Sequence, residues 1–356
     1  MNKELMGALD ELEREKNISK ETLLDAIEQS LIQAYKNHFG KADNVHVTIN
    51  RETGDFSVYA DRKVVEFVED PAEEVSLVEA QKQNTNAEVG DILKVPVHSD
   101  KFGRIATQNA KNVILQKIRE EERKVLFDQY HGNEKEVVTG IVQRVVGHNV
   151  SVNLGKADAI LAENEQVKGE TFKPTERIKV YILEVKDTPK GPRILVSRTH
   201  PGLVKRLFES EVAEVKDGTV EIKSIAREAG SRTKLAVWSN DPDVDPVGAC
   251  VGVNGARVSA IVNELRGEKI DIINWDENPA ILIENALSPA KVIAVMADPD
   301  EKTALVVVPD YQLSLAIGKE GQNARLAARL TGFKIDIKSE TQARESGDFY
   351  DYDEDD

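Results

Sequence analysis

Residues 313–337 read LSLAIGKEGQNARLAARLTGFKIDI, and residues 248–273 read GACVGVNGARVSAIVNELRGEKIDII. Each stretch holds a short apolar segment, a Gly-x-x-Gly, a helix-patterned run and a closing strand with the letters IDI. Gly252 to Gly318 spans 66 positions and Ile270 to Ile335 spans 65, so the copies agree at both ends to within one residue. A repeat of this length is a duplicated domain and exceeds the period of a solenoid. In the first copy RTKLAVWS precedes the loop and KIDIINW follows it. In the second, AKVIAVMAD and TALVVVPD precede and FKIDIKS follows. Alternating apolar residues make these strands, and each copy is expected to be a compact α/β unit with a three-stranded sheet.

The loop chemistry is that of a phosphate cradle. Glycine tolerates positive φ where two helices must reverse quickly, and without a Cβ it lets a phosphodiester approach the backbone. The following helix points its unpaired amides and positive dipole end at the same spot. In the second copy the candidate contacts are Gly318, Lys319, Glu320, Gly321, Arg325 and Arg329; in the first they are Gly252, Val253, Asn254, Gly255 and Arg257. Arg325 and Arg329 lie one helical turn apart and would flank a nucleic-acid strand, with Leu326 and Leu330 turned to the sheet. Neither loop is strongly electrostatic, because Val253 and Asn254 are uncharged and Glu320 offsets Lys319. A single Gly-x-x-Gly is most often a tight helix corner; two in matched contexts point to a shared ligand.

Upstream, residues 133–200 change texture to short alternating strands separated by VGHN, LGKAD, KGETFKPTE and DTPKGP. Five such strands suit a small closed β-barrel. Single-strand-binding barrels usually present aromatics for base stacking; here Phe172 and Tyr181 are the candidates, with His148 as an outlier. A spacer or protein-docking barrel is the alternative reading. Further upstream, SKETLLDAIEQSLIQAYKNHFG reads as a helix with Ser19 at its N-cap, Leu24, Ile27, Leu31 and Tyr35 on one face, and Gly40 as its stop. VHVTINRETGDFSVYA reads as two strands about a turn containing Thr53-Gly54, and VVEFV (residues 64–68) as a third. FGRIATQNAKNVILQKIREEERKVLFDQY predicts a helix of about 25 residues. Ile105, Val113, Ile114 and Ile118 face its core, while Arg104, Gln108, Lys111 and Leu115 form a second stripe. That stripe is either a solvated face or a docking surface.

The formal net charge of −16 speaks against a broadly basic nucleic-acid-binding surface. Residues 200–339 hold 21 acids and 17 bases, so any such site is local. The last twelve residues, ESGDFYDYDEDD, carry seven acids and no base and read as a disordered tail. One cysteine, Cys250, excludes an intrachain disulfide and fits a small buried residue. The six histidines form no metal-spaced cluster, and HFGKAD and NLGKAD lack the rest of a P-loop. No catalytic constellation, cofactor or metal is expected. No apolar run reaches membrane-spanning length, so a cytoplasmic chain is expected.

The barrel's spacing resembles the S1 motif, an OB-type RNA-binding module, and the repeated units resemble KH domains of the type II variant, which clamp single-stranded RNA over a GXXG loop. Together, in this order, the segments resemble the NusA family of bacterial transcription elongation and termination factors over about residues 1–340. The resemblance implies a multidomain α/β and β architecture: an N-terminal polymerase-binding domain (1–130), an S1-type OB-fold barrel (131–200), a first KH domain (201–277), a second (278–343) and an acidic tail (344–356). It also implies docking on RNA polymerase, with Arg104 and Lys111 at the polymerase or nascent RNA. Contact with nascent single-stranded RNA, cooperation with other elongation and antitermination factors, and a monomeric state are expected with it. The activity implied is control of pausing, termination and antitermination. A phosphorolytic RNA-decay enzyme would need large domains that the first 130 residues cannot supply; a translation or ribosome-assembly factor remains the rival.

Overall fold

The structure, a computed structural model, describes residues 2–16, 18–39, 44–51, 55–97 and 100–347. The chain forms two compact units, dividing between Val125 and Leu126. In the first, helices α1 (Asn2–Lys16) and α2 (Lys20–Phe39) bury Leu9, Leu23, Leu24, Ile27, Leu31 and Tyr35 against the sheet residues Val45, Ile49, Val58 and Ala60. The Ser19 hydroxyl accepts from the Thr22 amide at 3.5 Å, satisfying an otherwise orphaned first-turn donor. Gly40 and the Thr53-Gly54 turn lie outside the described residues.

Strand β1 (Val45–Ile49) pairs antiparallel with β2 (Phe56–Val65), which also takes β3 (Glu74–Ser76) in parallel and, past α3 (Leu77–Gln83), β4 (Ile92–Pro96) in antiparallel register. The separate strand expected at VVEFV does not exist. Val64 and Val65 end β2, and Phe67 beyond them is 85% exposed. The charged triplet Asp61-Arg62-Lys63 resembles a break but sits inside the ladder, opposite Lys94, Leu93 and Ile92. Helix α4 (Asp100–His131) has 32 residues, longer than expected. Val113, Ile114 and Ile118 pack on the first unit's core as their spacing required.

In the second unit, β5 (Val137–Val146), β6 (Asn149–Asn153), β7 (Asp158–Leu161), β8 (Arg177–Lys186) and β9 (Arg193–Ser197) close into a barrel in the order β5-β6-β7-β9-β8. Val152, Leu161, Val180, Ile182, Ile194 and Val196 fill it. Gly140 is required there: a Cβ would stand 2.3 Å from Val152 Cγ1.

The first repeat comprises α5 (Pro201–Glu211), α6 (Ala213–Lys216), β10 (Val220–Glu228), β11 (Arg232–Ser239), α7 (Pro246–Val251), α8 (Ala256–Glu264) and β12 (Lys269–Asn274). The second comprises α9 (Pro279–Ala286), β13 (Ala294–Asp298), β14 (Thr303–Val308), α10 (Leu313–Ile317), α11 (Gln322–Thr331) and β15 (Lys334–Ser339). In both sheets the first two strands pair antiparallel and the last two parallel. The final helix α12 (Glu340–Glu345) starts with a Ser339 capping box. It takes in Arg344 and Glu345, which the sequence placed in the tail; residues 348–356 lie outside the described residues.

One core serves both repeats. Ala226, Ala236 and Ile273 of the first sheet share a cluster with Leu326, Ala327 and Leu330 of α11. Alanines at 226 and 236 leave room for a helix to lie close on the sheet, burying apolar surface at about 25 cal/mol per Å².

Candidate nucleic-acid interface

The two Gly-x-x-Gly loops have the same backbone. Gly252 and Gly318 sit at φ/ψ 75/172° and 77/172°, Asn254 and Glu320 at 52/27° and 55/27°, and Gly255 and Gly321 at 74/16° and 74/15°. The first glycine of each occupies a region that is essentially glycine-only. Asn254 and Glu320 accept a left-handed conformation that costs a non-glycine residue about 1–2 kcal/mol. Such strain, repeated in two copies, marks a shape kept for use. Val253 is 84% exposed, and Asn254, Lys319 and Glu320 are exposed with it.

The first glycine is closed over by the residue five positions later. A Cβ on Gly252 would meet the Arg257 stem at 2.7 Å, and one on Gly318 would meet the Asn323 backbone nitrogen and Cβ at 2.8 Å. Arg257 Nη1 donates to the Ala249 carbonyl at 2.7 Å and to Glu214 at 2.9 Å. Asn323 Nδ2 donates to the carbonyls of Ala316 and Leu287, each at 3.0 Å. Arg257, read from sequence as an outward RNA contact, is thus the counterpart of Asn323 and ties its loop to the preceding helix. Asn323 was missed; aligning the copies at their 66-residue offset would have paired it with Arg257.

Arg325 is likewise engaged. Its Nε donates to Glu228 Oε1 at 2.6 Å, Gln322 Nε2 donates to Glu228 Oε2 at 2.9 Å, and Arg329 approaches the same carboxylate at 3.8 Å. The Arg325 hydrogen bond holds the Glu228 carboxyl below its ordinary value. The arginines expected to flank a strand therefore also bind the first repeat. Leu326 and Leu330 are buried as expected.

The barrel aromatics do not form an exposed stacking face. Tyr181 is 7% exposed and stacks on His200, centroids 4.7 Å apart; burial holds the phenol above and the imidazole below their ordinary values. The Arg266 guanidinium lies 5.1 Å from the Phe172 centroid. His148 is open to solvent, 3.6 Å from Glu163. Sequence reading passed over Trp238, which is exposed on β11 and meets Trp275 edge to face at 5.7 Å.

Cys250 is buried, and burial pushes its thiol up to about 11. Among the described residues no group of His, Cys, Asp and Glu is placed to hold a metal ion, and no helix is long and apolar enough to cross a membrane. Lys111 is exposed on α4; Arg104 lies on the same helix, and its side chain is outside the described residues.

Comparison with known proteins agrees with this geometry. Family models match residues 4–124 (NusA N-terminal domain), 132–197 (S1 RNA binding domain), 198–275 (NusA-like first KH domain) and 279–345 (NusA-like second KH domain). A "Transcription termination/antitermination protein NusA" from Bacillus subtilis is 57% identical over 347 residues, covering 98% of this chain and 94% of the relative. Proteins of the same name from Halalkalibacterium halodurans and Thermus thermophilus are 55% and 42% identical, covering 98% and 94% of this chain and 91% and 89% of theirs.

Proposed function

Because this chain belongs to the NusA family of transcription termination/antitermination proteins, we propose that it binds single-stranded RNA as it emerges during transcription and modulates pausing, termination and antitermination by binding alone. The observation that carries this reading is the pair of exposed loops with matching strained backbone, joined to an S1-type barrel. Two loops on one body convert weak contacts into useful affinity, because the second engages at an effective concentration set by the first. That suits a chain whose net charge of −16 gives little non-specific attraction to RNA.

Residues 1–130 are the segment we assign to RNA polymerase, with the α4 stripe carrying Lys111 and Arg104 facing polymerase or transcript. Docking would deliver a modest RNA binder to a single transcript. The protein works as a monomer in the cytoplasm in this reading, alongside other elongation and antitermination factors. The family relationship favours transcription over the ribosome-assembly alternative. In vitro transcription on a hairpin-terminator template is the test: the protein should change the fraction of transcripts released. An unchanged pause and release pattern at saturating protein would reject the proposal.

A further inference from the structure

The two repeats differ in what lies on the outer faces of their sheets. Their IDI strands fix the correspondence, because Arg232 pairs with Lys269 and Thr303 pairs with Lys334. Lys234 therefore matches Leu305, and Ala236 matches Val307. Across the antiparallel pair, Ala226 opposite Lys234 matches Met296 opposite Leu305. Likewise Glu228 opposite Arg232 matches Asp298 opposite Thr303. In the first repeat this face is occupied. Ala226 is 3% exposed in the core it shares with α11, and Glu228 takes Arg325, Gln322 and Arg329 from that helix.

In the second repeat the matching positions are open. Val307 is buried, and α12 packs on β14 and β15. Met296, however, is 43% exposed, Leu305 opposite it is half-buried, and Asp298 is exposed. Asp298 Oδ1 accepts from the turn amides of Asp300 and Glu301 at 2.9 and 3.1 Å. Among the described residues no cation pairs with it. A second carboxylate has lost its partners in the same way. Asp271 of the first repeat is held by Arg232 at 2.8 Å and Lys234 at 3.2 Å. Their counterparts Thr303 and Leu305 are uncharged, and Asp336, paired with Leu305, has no ion-pair partner among the described residues. Lys334 and Lys338 flank Asp336 along β15, so that edge is balanced. The surplus negative charge lies at the β13–β14 turn, where Asp298, Asp300 and Glu301 outnumber Lys302. That is the corner to which α11 brings Arg325 and Arg329 in the first repeat.

Within this chain such a face is covered by an amphipathic helix that lays aliphatic residues on the sheet and grips the hairpin carboxylate with a glutamine and an arginine. Met296 in place of Ala226 keeps the face apolar and adaptable, because an unbranched thioether fits irregular surfaces. We propose that Met296 and Leu305, with Asp298 at their corner, form a docking site for a helix of a partner protein. That helix carries an aliphatic stripe and an arginine placed as Arg325 is on α11. Charge and geometry select this occupant. The last twelve residues of this chain hold seven acids and no base, the wrong sign for the turn. The α11 of a second copy is already fastened to its own first repeat. The assignment does not depend on the RNA-binding reading above.

The test uses a fluorescent, helix-stabilised peptide of residues 320–333, which carries the α11 signature, titrated with the full-length protein by anisotropy. Stabilisation is needed because so short a helix is marginal in water. Wild type should bind it saturably, with a Kd below about 1 mM. Asp298→Lys and Met296→Glu should each weaken binding about three- to tenfold. A peptide with Arg325→Glu should reverse the order and prefer the Asp298→Lys protein. Both substitutions are at exposed positions, and unchanged thermal melting shows that the variants are folded. No saturation by wild type at millimolar protein, or binding that ignores both substitutions, overturns the site. Loss on Glu228→Lys without loss on Asp298→Lys means that the peptide displaced α11, and also overturns it. A wild-type dimer in sedimentation that Met296→Glu dissociates gives the face to a second copy and overturns the partner helix.

Discussion

Arg325 and Glu228 meet at 2.6 Å across 97 residues of sequence, and through them the helix behind the second loop is fastened to the β10–β11 hairpin of the first repeat. Gln322 adds a 2.7 Å hydrogen bond to Ser231 at the same place. Glu228→Ala should loosen this joint. RNA long enough to reach both loops is expected to bind several-fold more weakly, while RNA that reaches one loop should not notice. Fluorescence titration with the two lengths makes the comparison, and equal losses for both would reject it.

The same carboxylate gives a pH dependence with a definite sign. Arg325 holds the Glu228 pKa below its ordinary 4.5 in the folded protein. A group whose folded value is depressed stabilises the fold above the unfolded pKa and loses that contribution as pH falls through the folded one. Melting temperature should therefore drop below about pH 4.5 less steeply in Glu228→Gln than in wild type. Parallel curves would show that Glu228 carries none of the acid sensitivity.

The loop glycines are not equivalent. Gly318→Ala forces a Cβ to 2.8 Å from the Asn323 nitrogen at φ +77°, where backbone must shift. The strain should cost about 1–3 kcal/mol, and melting should fall by about 2–4 °C per kcal/mol. Gly252→Ala meets a flexible arginine stem and should cost less. Gly255 and Gly321 have no atom closer than 3.8 Å to a new Cβ. Gly321→Asn should fold with little loss, while Gly321→Asp keeps the fold and repels phosphate. RNA titration beside thermal melting separates these effects; an unfolded Gly321→Asn protein would contradict the geometry.

Arg198 is the residue on which the barrel–KH joint depends. Arg198→Met leaves the Glu170 carboxylate, which is 5% exposed, without its two hydrogen bonds from Arg198 and with Arg266 Nε at 3.9 Å as its remaining cation. Removing one partner of a buried pair costs about 3–5 kcal/mol. Arg198→Met with Glu170→Leu should recover most of that loss, because no unpaired charge remains. Chemical denaturation of the three proteins tests it.

Much of this was legible in the sequence. The repeat was readable because glycine spacing and strand alternation are local patterns, and the barrel was readable because its strands alternate between short turns. The VVEFV strand misled because Asp61-Arg62-Lys63 resembles a break until β4 is seen pairing with it. The protein partners of Arg257 and Arg325 were hidden for a related reason. An arginine near a loop looks free in sequence, and its carboxylate lay 43 residues away in one case and 97 in the other. The burial of Arg198 was invisible because its partners come from three separate segments.

The core shared by Ala226, Ala236, Leu326 and Ala327 makes the two repeats a gauge. With both footholds set on one body, the spacing between them is a property of the protein, and the strand must supply the length. For an RNA held at both loops, a stem that forms between the footholds shortens the span and breaks one grip. The tandem would then report how much unpaired RNA lies between two points, whatever its letters, which is a quantity that changes as a transcript folds.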